Sequence, residues 1–122
     1  MQPEKFSIHS RIKSFSFALA GLKQFVVKEH NARIHLVATI GVILAGVVFK
    51  VTGTEAAILT IVTALVWVAE ILNTCVERLA DLITTERHPA IGIIKDLAAG
   101  AVLVAAIAAV IVALFIFIPK II

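Results

Sequence analysis

The chain alternates between long apolar runs and short polar breaks. Residues 36–49 carry no charge, and with Ile34, His35, Lys50 and Val51 they make a span just long enough to cross a bilayer. Residues 56–76 hold a single carboxylate, Glu70, and residues 97–118 hold no charge. A helix needs about 20 mostly apolar residues to cross a hydrocarbon core of about 30 Å. The pattern therefore predicts an all-α membrane protein, one domain over 1–122, with transmembrane helices near 34–51, 56–78 and 96–118. The segment from Lys50 to Glu55 is expected to form a short turn. The segment from Ala80 to Lys95, interrupted by Pro89 and Gly92, is expected to form a longer polar connection.

Ahead of the first span, Ile8, Ile12, Phe15, Leu19, Leu22 and Val26 recur at steps of four and three, while Arg11, Lys13, Lys23 and Gln24 fall largely elsewhere. This spacing predicts an amphipathic helix over about 7–30, lying in the membrane interface with its apolar face toward the acyl chains. The stretch lacks the continuous apolar core and small-residue cleavage site of a secretory signal and is expected to be retained.

Composition supports lipid as the solvent. The 122 residues are 61% hydrophobic, against about 45–50% in soluble domains, and so short a chain leaves much of its surface exposed. The lone Cys75 rules out an internal disulfide and reads as a packing residue. The net charge of +3 is spread around the membrane segments rather than along one groove, which speaks against nucleic acid and for anionic headgroups. Of the 11 Lys and Arg, only Lys50 and Lys120 lie on one side of the spans; Lys5, Arg11, Lys13, Lys23, Lys28, Arg33, Arg78, Arg87 and Lys95 lie on the other. The positive-inside rule then puts the N-terminus and the second connection in the cytoplasm of a multi-pass membrane protein.

Glu70, Asn73, Glu77 and Asp81 fall within about 80° of one another on the second span at 100° per residue. Counted from Ala56, Glu70 lies about 21 Å along the helix, in its cytoplasmic third. A carboxylate at a helix centre costs roughly 3 kcal/mol on insertion scales, so Glu70 needs a reason to be there. Glu77, Asp81 and Glu86 can be helix-end charges satisfied by Arg78, Arg87 or Lys95; Glu70 has no base within its own span. Glu29 closes the amphipathic helix at the same end, and Lys95 and Asp96 open the third span ahead of the small residues Ala98, Ala99, Gly100 and Ala101. Several carboxylates, a lysine and a carboxamide at the interface suit phosphoryl transfer: acidic oxygens hold Mg²⁺, a cation neutralises phosphates, and a carboxylate orients the hydroxyl. A proton- or cation-coupled carrier using Glu70 would need similar groups, and a purely structural subunit would carry them incidentally. No P-loop motif is present. His9, His30 and His88 show no metal-ligand pairing and read as surface residues.

The run from Glu70 through Asn73 and Glu77 to Asp81, followed by Lys95, Asp96 and Gly100, resembles the signature of the bacterial diacylglycerol kinase and undecaprenol kinase family. The likeness covers nearly the whole chain, including Gly21, Leu22, Glu29, Asn31, Arg33 and His35. It implies a homotrimer of three-span subunits, each with an N-terminal surface helix, and active sites shared between subunits. It implies ATP as co-substrate, Mg²⁺, and a lipid alcohol as acceptor. It assigns Glu70 as general base and as a contact, with Asn73, to the lipid hydroxyl. Glu29 and Glu77 would bind metal and thereby nucleotide; Asn73 and Lys95 would contact phosphates and Asp96 would place the nucleotide. Asp81 belongs to the motif without a clear role. Proteobacterial diacylglycerol kinases carry an acidic residue at the position of His35, a Gly-Ser pair at Ala98 and Ala99, and a serine at Ala18. The present residues are similar to the branch that prefers undecaprenol, with diacylglycerol the alternative substrate.

Overall fold

The computed structural model describes residues 5–122 and contains four helices: α1 (Ile8–Lys28), α2 (His30–Val48), α3 (Gly53–Ile83) and α4 (Pro89–Ile121). The last three are long and apolar enough to cross a membrane. Each end has a local cause. The Ser7 hydroxyl caps the start of α1 by accepting from the Ser10 N–H. A single extended residue, Glu29, separates α1 from α2, and its backbone N–H still bonds the Phe25 carbonyl at 2.9 Å. At the far end of α2 the chain reverses through Lys50, whose φ of 52° is left-handed. The N–H of Val51 bonds the Gly46 carbonyl and that of Lys50 bonds the Val47 carbonyl, so the reversal is a Schellman motif. The turn thus takes its left-handed residue at Lys50, and Gly53 is instead the first residue of α3. Thr52 and Glu55 then form a reciprocal capping box.

The polar connection expected from Ala80 to Lys95 is mostly helical. α3 continues through Ile83 and α4 starts at Pro89, leaving only Thr84–His88 between them. Proline at the first helical position gives up an N–H that had no partner there, so Pro89 starts a helix rather than breaking one. The ring of His88 caps the same turn by accepting from the Ala90 N–H.

α3 and α4 make the most extensive contact and run antiparallel, tied at both ends by ion pairs. Lys95 donates to Asp81 at 2.7 Å near one end, and Lys120 to Glu55 at 2.9 Å at the other. α2 touches α3 more lightly, and α1 meets α2. The looser α2–α3 contact leaves an apolar groove of about 990 Å³. It runs from Lys50 and Val51 to Trp67 and Ile71, with Leu22 and Val26 of α1 at its edge.

The interior of one chain is small. Phe25, Ala32, Leu59, Val66, Ala80, Ala105 and Ile116 are its buried apolar residues, and most large apolar side chains on every helix are exposed. Such faces demand lipid or neighbouring chains around them. Of α1 it is Phe25, outside the apolar stripe read from the sequence, that is buried; Ile8, Ile12, Phe15 and Leu19 are exposed. Cys75, expected to pack, is exposed; it projects from the side of α3 opposite Asn73.

Candidate active site

Buried polarity among the described residues is confined to one patch of α3. Glu70, Asn73 and Thr74 are 3%, 6% and 7% exposed. Glu70 is held from α2: Asn31 donates through Nδ2 to Oε1 at 3.2 Å, and His35 Nε2 lies 3.3 Å from Oε2. Asn31, His35 and Thr39 stand at steps of four and so share one stripe of α2. Thr39 extends the seam: its hydroxyl accepts from the Trp67 indole N–H at 2.8 Å and donates to the His35 carbonyl at 2.7 Å. Trp67 in turn lies edge-on to Phe25, with ring centroids 6.2 Å apart. α1, α2 and α3 therefore converge on Glu70. Asn31, His35, Thr39 and Trp67 were not assigned roles from composition or spacing. The four-residue repeat on α2 was visible, but its partner helix was not.

One turn further along α3, Asn73 donates through Nδ2 to Glu77 Oε1 at 3.2 Å, while its own Oδ1 is buried and has no partner among the described residues. Turning the amide over would set its oxygen against the Glu77 carboxylate, so the orphan is the acceptor. An acceptor left dry costs about 1–3 kcal/mol. What satisfies it must be a donor or a cation.

Of the remaining motif residues, those other than Asp96 are paired within the chain. Arg78 donates to Glu29 Oε1 at 2.6 Å and to Gln24 Oε1 at 3.3 Å, pinning the α1–α2 corner to α3. Lys95 is engaged with Asp81. Asp96 is exposed in a shallow pocket of about 430 Å³ at the start of α4, beside Arg87, His88 and Gly92. Among the described residues no three His, Cys, Asp or Glu side chains come together as a metal cluster. That is compatible with Mg²⁺, which keeps several waters and binds through one or two carboxylates plus substrate phosphates. The Glu77 carboxylate and the orphan Asn73 Oδ1 are hard oxygen donors of the right kind. Glu29 shares one oxygen, Oε1, with Arg78 and is a further hard oxygen donor at this end. His9, His30 and His88 are exposed.

The pattern of the prokaryotic diacylglycerol kinases matches residues 16–117. The undecaprenol kinase of Bacillus subtilis is 36% identical over 108 residues, covering 88% of each chain. The diacylglycerol kinase of Synechocystis is 41% identical over 100 residues, covering 81% of this chain and 57% of that protein. The matched region takes in Glu29, the whole α2–α3 seam, and Lys95 with Asp96, and it sets aside the coupled-carrier and structural-subunit readings. On this evidence of sequence and fold together, the chain belongs to the prokaryotic diacylglycerol kinase family of membrane kinases.

Proposed function

We propose that the protein transfers the γ-phosphoryl group of ATP to the hydroxyl of a membrane lipid alcohol at the cytoplasmic interface, with undecaprenol favoured over diacylglycerol. The observation that carries this is the Glu70 carboxylate, buried beside the end of an apolar groove and held by two donors from α2. Trp67 and Ile71, which line the groove's end, precede and follow Glu70 on α3. A lipid chain lying in that groove brings its hydroxyl to the carboxylate.

The chemistry follows from these groups. Glu70 takes the hydroxyl proton as the oxygen attacks the γ-phosphorus; the P–O bond to ADP breaks, and ADP leaves with the electron pair. Glu77 and Asn73 Oδ1 would hold Mg²⁺, with Glu29 as a further carboxylate ligand, and the bound cation would supply positive charge against the transferring phosphate. Lys95 exchanges Asp81 for phosphate oxygens, which gives Asp81 a use: it holds the ammonium ready while the site is empty. Asp96 places the nucleotide. A homotrimer covers the exposed apolar faces and lets neighbouring chains complete the site, with the N-terminus cytoplasmic and α1 on the membrane surface.

The substrate preference rests on His35, Ala98 and Ala99, and on Ala18, which offers no hydroxyl for an ester carbonyl. A site lacking a donor cannot reward a ligand for its acceptor. The diacylglycerol alternative draws on the Synechocystis relative. The test is competition between undecaprenol and diacylglycerol at equal mole fraction in mixed micelles, with the phosphorylated products separated. Undecaprenyl phosphate is expected to form faster. A preference for diacylglycerol by about tenfold or more overturns the substrate assignment and leaves the kinase reading standing.

A further inference from the structure

Glu70 is nearly inaccessible, and both of its oxygens are spoken for by groups on α2. Of those partners Asn31 is an amide, fixed in its donor role. His35 is not: its Nε2 donates to Oε2 only when that nitrogen carries the proton. The rest of the seam fixes the His35 backbone and ring. Its carbonyl accepts the Thr39 hydroxyl, that hydroxyl is pinned by Trp67, and the His35 and Trp67 rings lie 6.4 Å apart. The His35 side chain is 21% exposed, against 4% for that of Glu70.

We propose that His35 is a positioning residue for Glu70: it donates Nε2–H to Oε2 while Asn31 donates to Oε1, and the two together fix the plane of the carboxylate. This rests on the reading of Glu70 as the base. A carboxylate has about four lone-pair sites. With one on each oxygen taken from the α2 side, those remaining are aimed at the hydroxyl. Without His35 one oxygen loses its donor and the carboxylate turns about its terminal bonds, and a misplaced base loses rate rather than affinity.

Three substitutions separate this from a packing role. His35→Gln keeps a donor at about the reach of Nε2. His35→Asn keeps a polar amide that stops short of it. His35→Leu removes the donor. Initial rates are measured with ATP and lipid alcohol each varied in the same micelles. Trp67 is the only tryptophan in the chain, so its emission reports in each variant whether the seam is intact. Leu and Asn are expected to lower kcat by about ten- to a hundredfold with the KM for ATP nearly unchanged. Gln is expected to restore most of the lost kcat, with wild-type Trp67 emission in Asn and Gln. Wild-type kcat in the Asn variant, or equal losses in Asn and Gln, overturns the proposal, and the Asn–Gln contrast decides even if the Leu variant fails to assemble. Glu70→Gln is run alongside. Full activity there overturns the base reading itself, a failure seen in that control and not in the His35 series.

Discussion

The two ends of the α3–α4 hairpin use the same residue types to opposite effect. At the Lys120 end, Glu55 closes a capping box with Thr52 and takes an ion pair from Lys120; every charge there finishes a helix end or a pair. At the Glu70 end the carboxylates outnumber what helix termination needs. Glu70 is buried, and Asn73 keeps a buried acceptor without a partner among the described residues. Lys95 and Arg78 are tied to acids through exposed or half-exposed bridges, which are worth about 0–1 kcal/mol each and open readily. Polar groups that complete a fold are satisfied within it. Those kept for a ligand are left short of a partner or held by weak ones.

The sharpest way to break this comparison is Glu70→Gln. If the buried carboxylate exists for chemistry, turnover falls by about 10²–10⁴-fold, while assembly and nucleotide binding persist because an amide still accepts from Asn31. Rates and nucleotide affinity in the same micelles decide it. A variant above a tenth of wild-type rate, on the order of 1.4 kcal/mol, removes Glu70 from the base position.

Asn73→Ala gives a smaller and more diagnostic effect, because stability and activity should part company. The substitution deletes a hydrogen bond to the Glu77 carboxylate worth about 1.5–3 kcal/mol and also an orphan acceptor costing about 1–3 kcal/mol. The two terms offset, and thermal stability in detergent should therefore change little. The rate should fall, and the Mg²⁺ concentration for half-maximal rate should increase, as it should in Glu77→Gln, since each loses a hard oxygen. Unchanged metal dependence in both variants would mean that the orphan acceptor serves something other than the cation.

How much of this was legible depends on which residues carry unusual physical cost. Three spans and the Glu70, Asn73, Glu77 stripe could be read because a carboxylate inside an apolar run is expensive whatever surrounds it. Asn31 and His35 sit near the polar margin of α2, where such residues are cheap, and acquire meaning only when α2 packs on α3. Phe25 lies outside the apolar stripe of α1, yet it is the buried residue of that helix and packs against Trp67 of α3. The stretch from Ala80 to Lys95 was misread for another reason. Charge marks where a helix leaves lipid, not where it ends, and Pro89 sits at the first helical position, where a proline costs no hydrogen bond.

The last prediction tests the far end, where the charged and capping groups complete helix ends and their substitution should move stability rather than turnover. Thr52→Ala removes the side-chain acceptor for the Glu55 N–H at 3.1 Å. Loss of such a cap costs about 1 kcal/mol, with no change in rate. Lys50→Gly should move stability less. Glycine relieves a left-handed backbone that costs other residues about 1–2 kcal/mol. Against that, it gives up a cation near the end of α2, worth about 0.3–1 kcal/mol, and it loosens the unfolded chain by about 0.4–1 kcal/mol. The terms nearly cancel, which leaves a net change within about 1 kcal/mol of zero. The denaturation midpoints of both variants in one detergent check the pair. A loss of stability in Lys50→Gly clearly larger than that of Thr52→Ala would show that the lysine side chain, not the backbone of the Schellman turn, is what the position needs.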